Sequence, residues 1–114
     1  LERMNKGEKL PTEYSAQQAV WQFGSDLTLV ALSGEVVVDY VKALEEALGP
    51  NRLWVAAYSH DVYGYLPSAR VLREGGYETR GLYHGGIGLF APDAQEVLVA
   101  KVVELARQAG RKLP

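Results

Sequence analysis

Two largely apolar runs with a helical pattern between them constrain this chain more than anything else in its sequence. Leu27–Leu32 reads Leu-Thr-Leu-Val-Ala-Leu, and residues 53–58 read Leu-Trp-Val-Ala-Ala-Tyr. Runs of this length bounded by turn residues are strands, and the first is expected to be buried on both faces. Between them Val37, Tyr40, Val41, Leu44 and Leu48 recur at helical spacing, and Gly49-Pro50 ends the pattern. The spacing predicts a helix opening at Ser33-Gly34-Glu35 and running to about Leu48. Its first turn holds Val36, Val37 and Val38, a poor helix-forming run that tertiary packing must override. Strand, helix, strand in that order is a βαβ unit with parallel strands.

The remaining elements attach to that unit. Residues 19–23 read as a short strand, and Gly24-Ser25-Asp26 as the turn of a β-hairpin leading into Leu27–Leu32. Pro67 suits the first turn of a short helix over residues 68–74, closed by Gly75-Gly76. Residues 75–90 are rich in glycine without clear period and read as an irregular loop. Pro92-Asp93 starts a last helix to about Ala109, with Leu98, Val102, Leu105 and Ala109 as its apolar stripe and Gly110 as its stop. Residues 1–15 are polar, broken by Pro11, and read as a loop. The expected fold is α/β: one domain over residues 1–114, with a small mixed sheet built from a hairpin and a βαβ unit. Two main helices and one short helix flank it.

Composition narrows the function classes. With 47% apolar and 23% charged residues the chain is globular. Its 12 basic and 14 acidic side chains form no like-charge block, so the footprint of a nucleic-acid binder is missing. The chain has no cysteine, which excludes disulfides and thiolate zinc sites. No apolar run approaches the ~20 residues of a membrane span. The first residues are not a signal peptide, because no apolar stretch follows the charges. The sole methionine is Met4, so the chain is expected to be a piece of a longer protein.

In α/β sheets ligands gather beyond the C-terminal ends of parallel strands. Two such ends are expected here, at Ser33-Gly34-Glu35 and at residues 59–65, facing a common crevice. Glu35 at a helix start is either a metal ligand or base, or a charge stabilising its own helix. His60 and His84 are far apart and not in zinc-ligand spacing, so they read as exposed or hydrogen-bonded loop residues. Tyr58, Tyr63, Tyr65, Tyr77 and Tyr83 crowd the two loops and suggest a pocket rim. Asp39, Glu45 and Glu46 read as a solvated helix face. Arg70, Arg73 and Glu74 read the same way, with either arginine able to clamp an anion. Gly85-Gly86-Ile87-Gly88 lacks the setting and lysine of a phosphate loop.

Leu32-Ser33-Gly34-Glu35, then residues 54–65 (Trp-Val-Ala-Ala-Tyr-Ser-His-Asp-Val-Tyr-Gly-Tyr), then Leu66-Pro67-Ser68 and residues 73–78 form a set. This set resembles the later part of the neutral/alkaline ceramidase catalytic domain, most closely the bacterial ceramidase-like proteins. The likeness is strongest over residues 19–80. It implies hydrolysis of the amide bond of ceramide, a lipid amide, to sphingosine and a fatty acid. By match of motif it implies that Glu35 and Tyr65 are zinc ligands, and that Tyr77 hydrogen-bonds the substrate carbonyl and its oxyanion. Asp61 and Tyr63 are the candidate substrate-binding residues. It also implies a secreted or periplasmic parent. These roles suit the chemistry, since zinc takes carboxylate oxygen and can deprotonate a coordinating phenol.

The chain departs from the family as well. The two histidine ligands and the active-site serine belong to upstream segments, and His60 stands where relatives often have asparagine. The expectation is therefore a C-terminal fragment that is inactive and binds little or no zinc alone. Its partner would be the missing N-terminal part of the same domain, and uncovered surface would favour a homo-oligomer. The alternative is a stand-alone α/β binding or assembly module without catalysis.

Overall fold

A computed structural model describes residues 5–7, 14–79 and 90–114. Its strands are β1 (Gln18–Phe23), β2 (Leu27–Leu32), β3 (Glu35–Val36), β4 (Leu53–Ala56) and β5 (Tyr65–Leu66). Its helices are α1 (Asp39–Leu48), α2 (Ala69–Glu74) and α3 (Ala94–Gln108), with a 3₁₀ turn at Tyr77–Thr79. The mixed α/β architecture, with a hairpin, two main helices and a short one, is as the sequence predicts. The structure adds a second, two-stranded sheet.

The main sheet has the order β1-β2-β4. β1 and β2 form the antiparallel hairpin, and β2 and β4 run parallel as the βαβ reading requires. Val20, Val30 and Val55 are successive partners across the three strands. They belong to the face that packs on α1 and α3, where Val30, Leu32, Tyr40, Leu44, Leu48, Leu66, Val102 and Ala106 make the core. Burying each of the larger side chains contributes about 1.5–3 kcal/mol of transfer free energy.

The start of α1 departs from the sequence reading. Residues 35 and 36 are a strand, not a first helical turn, and the helix begins only at Asp39. The three valines are the reason. Branched at Cβ, they lose rotamer freedom in a helix and fit a pleated strand. A partner strand was also within reach: β3 pairs parallel with β5, matching Glu35 to Tyr65 and Val36 to Leu66. The backbone groups a helical turn would have left unsatisfied are taken up there, with Glu35 N donating to Gly64 O at 2.8 Å.

α2 starts where expected. Ser68 caps it, its hydroxyl accepting from Val71 N at 3.1 Å, and Gln95 of α3 accepts from Ala69 N at 2.9 Å. α3 presents a rotated stripe: Val102 and Ala106 are buried, while Ala109, expected on that face, is exposed. Past its end Arg111 N donates to Ala106 O and Gly110 N to Arg107 O, a Schellman closure with Gly110 at φ +100°. The Arg111 side chain then donates to the carbonyls of Leu48, Gly49 and Asn51 and to the Thr28 hydroxyl. One guanidinium thus satisfies acceptors at the end of α1 and the approach to β4. No helix among the described residues is long and apolar enough to cross a membrane.

Residues 80–89 lie outside the described part, and with them His84, Tyr83, the 85–88 glycine stretch and most of the expected 75–90 loop.

Candidate functional site

The loops after β2 and β4 are stitched together by their backbones. Ser59 N donates to Leu32 O, Tyr58 N to Gly34 O, and Gly34 N to Asp61 O, at 3.0, 3.0 and 2.8 Å. This pairing carries the two parallel strands past their ends and delivers them into the β3–β5 ladder. Gly34 is required twice over. Its φ of +83° lies in the left-handed region, and a Cβ there would meet the Tyr63 ring at 2.9 Å. Tyr58 and His60 also take left-handed φ values, 56° and 64°. A bulky side chain rarely adopts that conformation, and the surrounding backbone bonds hold it there.

Glu35 and Tyr65 are register partners in the ladder, so their side chains leave the same side of it. Both line an open hollow of about 540 Å³, together with Tyr58, Arg70, Glu74 and Glu78. The Tyr58 hydroxyl donates to the Glu35 carboxylate, and that bond, with some desolvation and the nearby negative charge, raises the phenol above its ordinary pKa. The ring of Tyr77 meets that of Tyr65 edge to face, with centroids 5.5 Å apart.

Arg70 is committed within the fold. It donates to both carboxylate oxygens of Asp39, at 2.9 and 3.0 Å, and to Glu74 at 2.5 Å. These bonds, with the Ser68 hydroxyl donating at 2.6 Å, hold the Asp39 carboxyl below its usual range. Among the described residues lining the hollow, four carboxylates, Glu35, Asp39, Glu74 and Glu78, stand against the one guanidinium of Arg70, a balance that favours cations over the anion that an arginine clamp would take.

Glu35, Tyr65 and Tyr77 therefore come together, and Asp61 and Tyr63 lie apart from them. Tyr63 is 6% exposed; its hydroxyl donates to Ser33 O at 3.3 Å, and burial pushes its phenol up to about 12. Its ring packs on Tyr14 and Phe90. The Asp61 carboxylate accepts the Tyr14 hydroxyl, and neither residue lines the hollow. Tyr63 is buried, whereas Asp61 is exposed. His60 is exposed. Among the described residues no group of three or more His, Asp or Glu side chains is gathered as a metal cluster.

Tyr58 is the residue that sequence reasoning passed over. It stood out there only as one of several rim tyrosines, and nothing in its spacing marks it as the donor to Glu35. Its left-handed backbone is likewise announced by no local pattern.

Comparison with protein-family models, with characterised proteins and with solved structures gives no match.

Proposed function

We propose that this chain is the C-terminal part of a zinc-dependent amidohydrolase domain of the neutral ceramidase type. It would contribute Glu35 and Tyr65 as metal ligands and Tyr77 as a hydrogen-bond donor to the substrate carbonyl. The observation that carries the reading is the register pairing of Glu35 with Tyr65 on the rim of one hollow. Two oxygen donors on adjacent strands are half of a four-coordinate zinc set. The reading assigns the other half to histidines upstream of this sequence. A bound zinc would supply an activated water and polarise the amide.

The chain's own residues then have distinct tasks. Tyr58 fixes the Glu35 carboxylate by hydrogen bonding, as ligating carboxylates commonly need. Tyr65 would offer its phenolic oxygen to the metal. Tyr77, packed against Tyr65 and 62% exposed, offers an O–H to a developing oxyanion, an interaction that contributes a few kcal/mol in a closed site. Asp61 and Tyr63 hold the loop in this reading and do not touch substrate.

The test uses the chain extended by its upstream coding sequence, beside the chain alone. The extended protein is expected to bind zinc stoichiometrically and to cleave a fluorescent ceramide. Glu35→Gln and Tyr65→Phe should each lower zinc content, and Tyr77→Phe should lower kcat about 10²–10³-fold with zinc retained. The chain alone is expected to bind zinc weakly in calorimetry and to turn over nothing. An extended protein that keeps its zinc and activity in the Glu35→Gln, Tyr65→Phe double variant would sink the reading. Cleavage of simpler N-acyl amides in preference to ceramide would keep the chemistry and change the substrate.

A further inference from the structure

The ladder that sets Glu35 beside Tyr65 is only two residues long on each strand. A two-stranded piece of sheet this short does not hold itself together in water. In the loop leading to Tyr65, Tyr58 and His60 keep left-handed backbones, which persist only where surrounding contacts over-determine them. The spacing of the pair therefore depends on what holds the residues just ahead of Glu35 and just ahead of Tyr65.

Residues 14–17 touch both of those stretches. The Tyr14 hydroxyl donates to the Asp61 carboxylate, and the Tyr14 ring lies on that of Tyr63 with centroids 4.6 Å apart. Three residues further on, the Gln17 carbonyl accepts the Ser33 hydroxyl. The two stretches are also tied to each other. The Tyr63 hydroxyl donates to Ser33 O at 3.3 Å, Gly34 N donates to Asp61 O at 2.8 Å, and the Tyr63 ring fills the space beside Gly34. Ser33 and Gly34 lead directly into Glu35, and Asp61 and Tyr63 lead into Tyr65.

We propose that Tyr14 is a positioning residue for the Glu35–Tyr65 pair, residues 14–17 forming a strap that grips Asp61, Tyr63 and Ser33 and so fixes where the two side chains stand. Tyr14 does not line the hollow, so it acts only through the residues it grips. It is 40% exposed and lies outside the core cluster, so its loss opens the site locally and leaves the main sheet in place. The role goes beyond the zinc reading and does not rest on it, because the pair is held in the same way whether or not it serves a metal.

The test follows amide hydrogen exchange and tyrosine titration by NMR on the chain as given, without metal. Tyr14→Ala should speed exchange of the Gly34 and Glu35 amides about tenfold, with the amides of β2 changed by no more than about twofold. The Tyr58 hydroxyl donates to Glu35, so its titration reports whether the carboxylate has kept its place. In Tyr14→Ala it should move down toward the ordinary phenol value of about 10. Tyr14→Phe keeps the ring and loses only the bond to Asp61, and Asp61→Ala loses the same bond from the other side. Both should give the same changes in smaller measure, and they carry the test if Tyr14→Ala does not fold. Exchange that speeds up equally along β2 overturns the proposal, because it marks a general loss of stability. Unchanged exchange at Gly34 and Glu35 overturns it too, as does a Tyr58 titration that stays at its original value in every variant.

Discussion

Gly34 shows how far a single position controls the site. Its left-handed backbone turns β2 into the short ladder, and the Tyr63 ring fills the space a side chain would need. Gly34→Ala is expected to destabilise the fold by about 1–3 kcal/mol, read by urea denaturation, because both backbone strain and overpacking act together. The Tyr58–Glu35 bond gives a second expected outcome at this scale. The carboxylate keeps the phenol protonated above its ordinary range. Glu35→Gln should therefore lower the Tyr58 pKa toward the ordinary value near 10, observable by ultraviolet or NMR titration. No change in that titration would deny the contact. The candidacy of Glu35, Tyr65 and Tyr77 came from motif likeness at the sequence level. The adjacency of Glu35 and Tyr65 is a matter of strand register, which the sequence does not display, and Tyr77 joins them through its ring contact with Tyr65.

At the scale of elements, the short β3–β5 ladder and α2 are held against α1 by a polar cluster. Ser68 caps α2 and bonds Asp39, while Arg70 bonds both Asp39 and Glu74. In the fold the Asp39 carboxyl titrates below its ordinary value, so the unfolded chain takes up that proton more readily. The contribution is fully present above the ordinary carboxylate value near 4, and is lost as pH falls through the lower folded value. Thermal melts from pH 6 down to pH 2 should show Tm falling across the acid end. In Asp39→Asn the fall should be shallower, from a lower starting Tm at pH 6. Two elements were legible in the sequence for identifiable reasons. The hairpin turn at Gly24-Ser25-Asp26 and the Gly110 stop are both local signals, satisfied by neighbours within a few residues. The start of α1 was not, because the choice between helix and strand at Val36 turned on a partner about thirty positions away.

Across the whole molecule, a sheet packed on two helices and an arginine beyond the last of them define the architecture. Arg111 bonds β2 through Thr28, the last carbonyls of α1 through Leu48 and Gly49, and the approach to β4 through Asn51. Arg111→Ala should cost about 2 kcal/mol, since it leaves several half-buried acceptors to find water, and a urea midpoint measures it. Arg111→Lys should recover little, because a point charge cannot span that fork of acceptors.

The sequence alone determined the class of this protein: strands where apolar runs are short and bounded by turns, helices where apolar residues recur every third and fourth position, and one crossover making two strands parallel. Those features depend on interactions between near neighbours, so they are written locally. Only the tertiary structure decided that the valine run becomes a strand and that Glu35 stands beside Tyr65 with Tyr58 as its donor. It also decided that Tyr63 is buried and that Trp21 and Trp54 share one face of the main sheet. Each of these depends on register and on which distant segment arrives as partner, and long-range pairing leaves no periodicity in the chain to read.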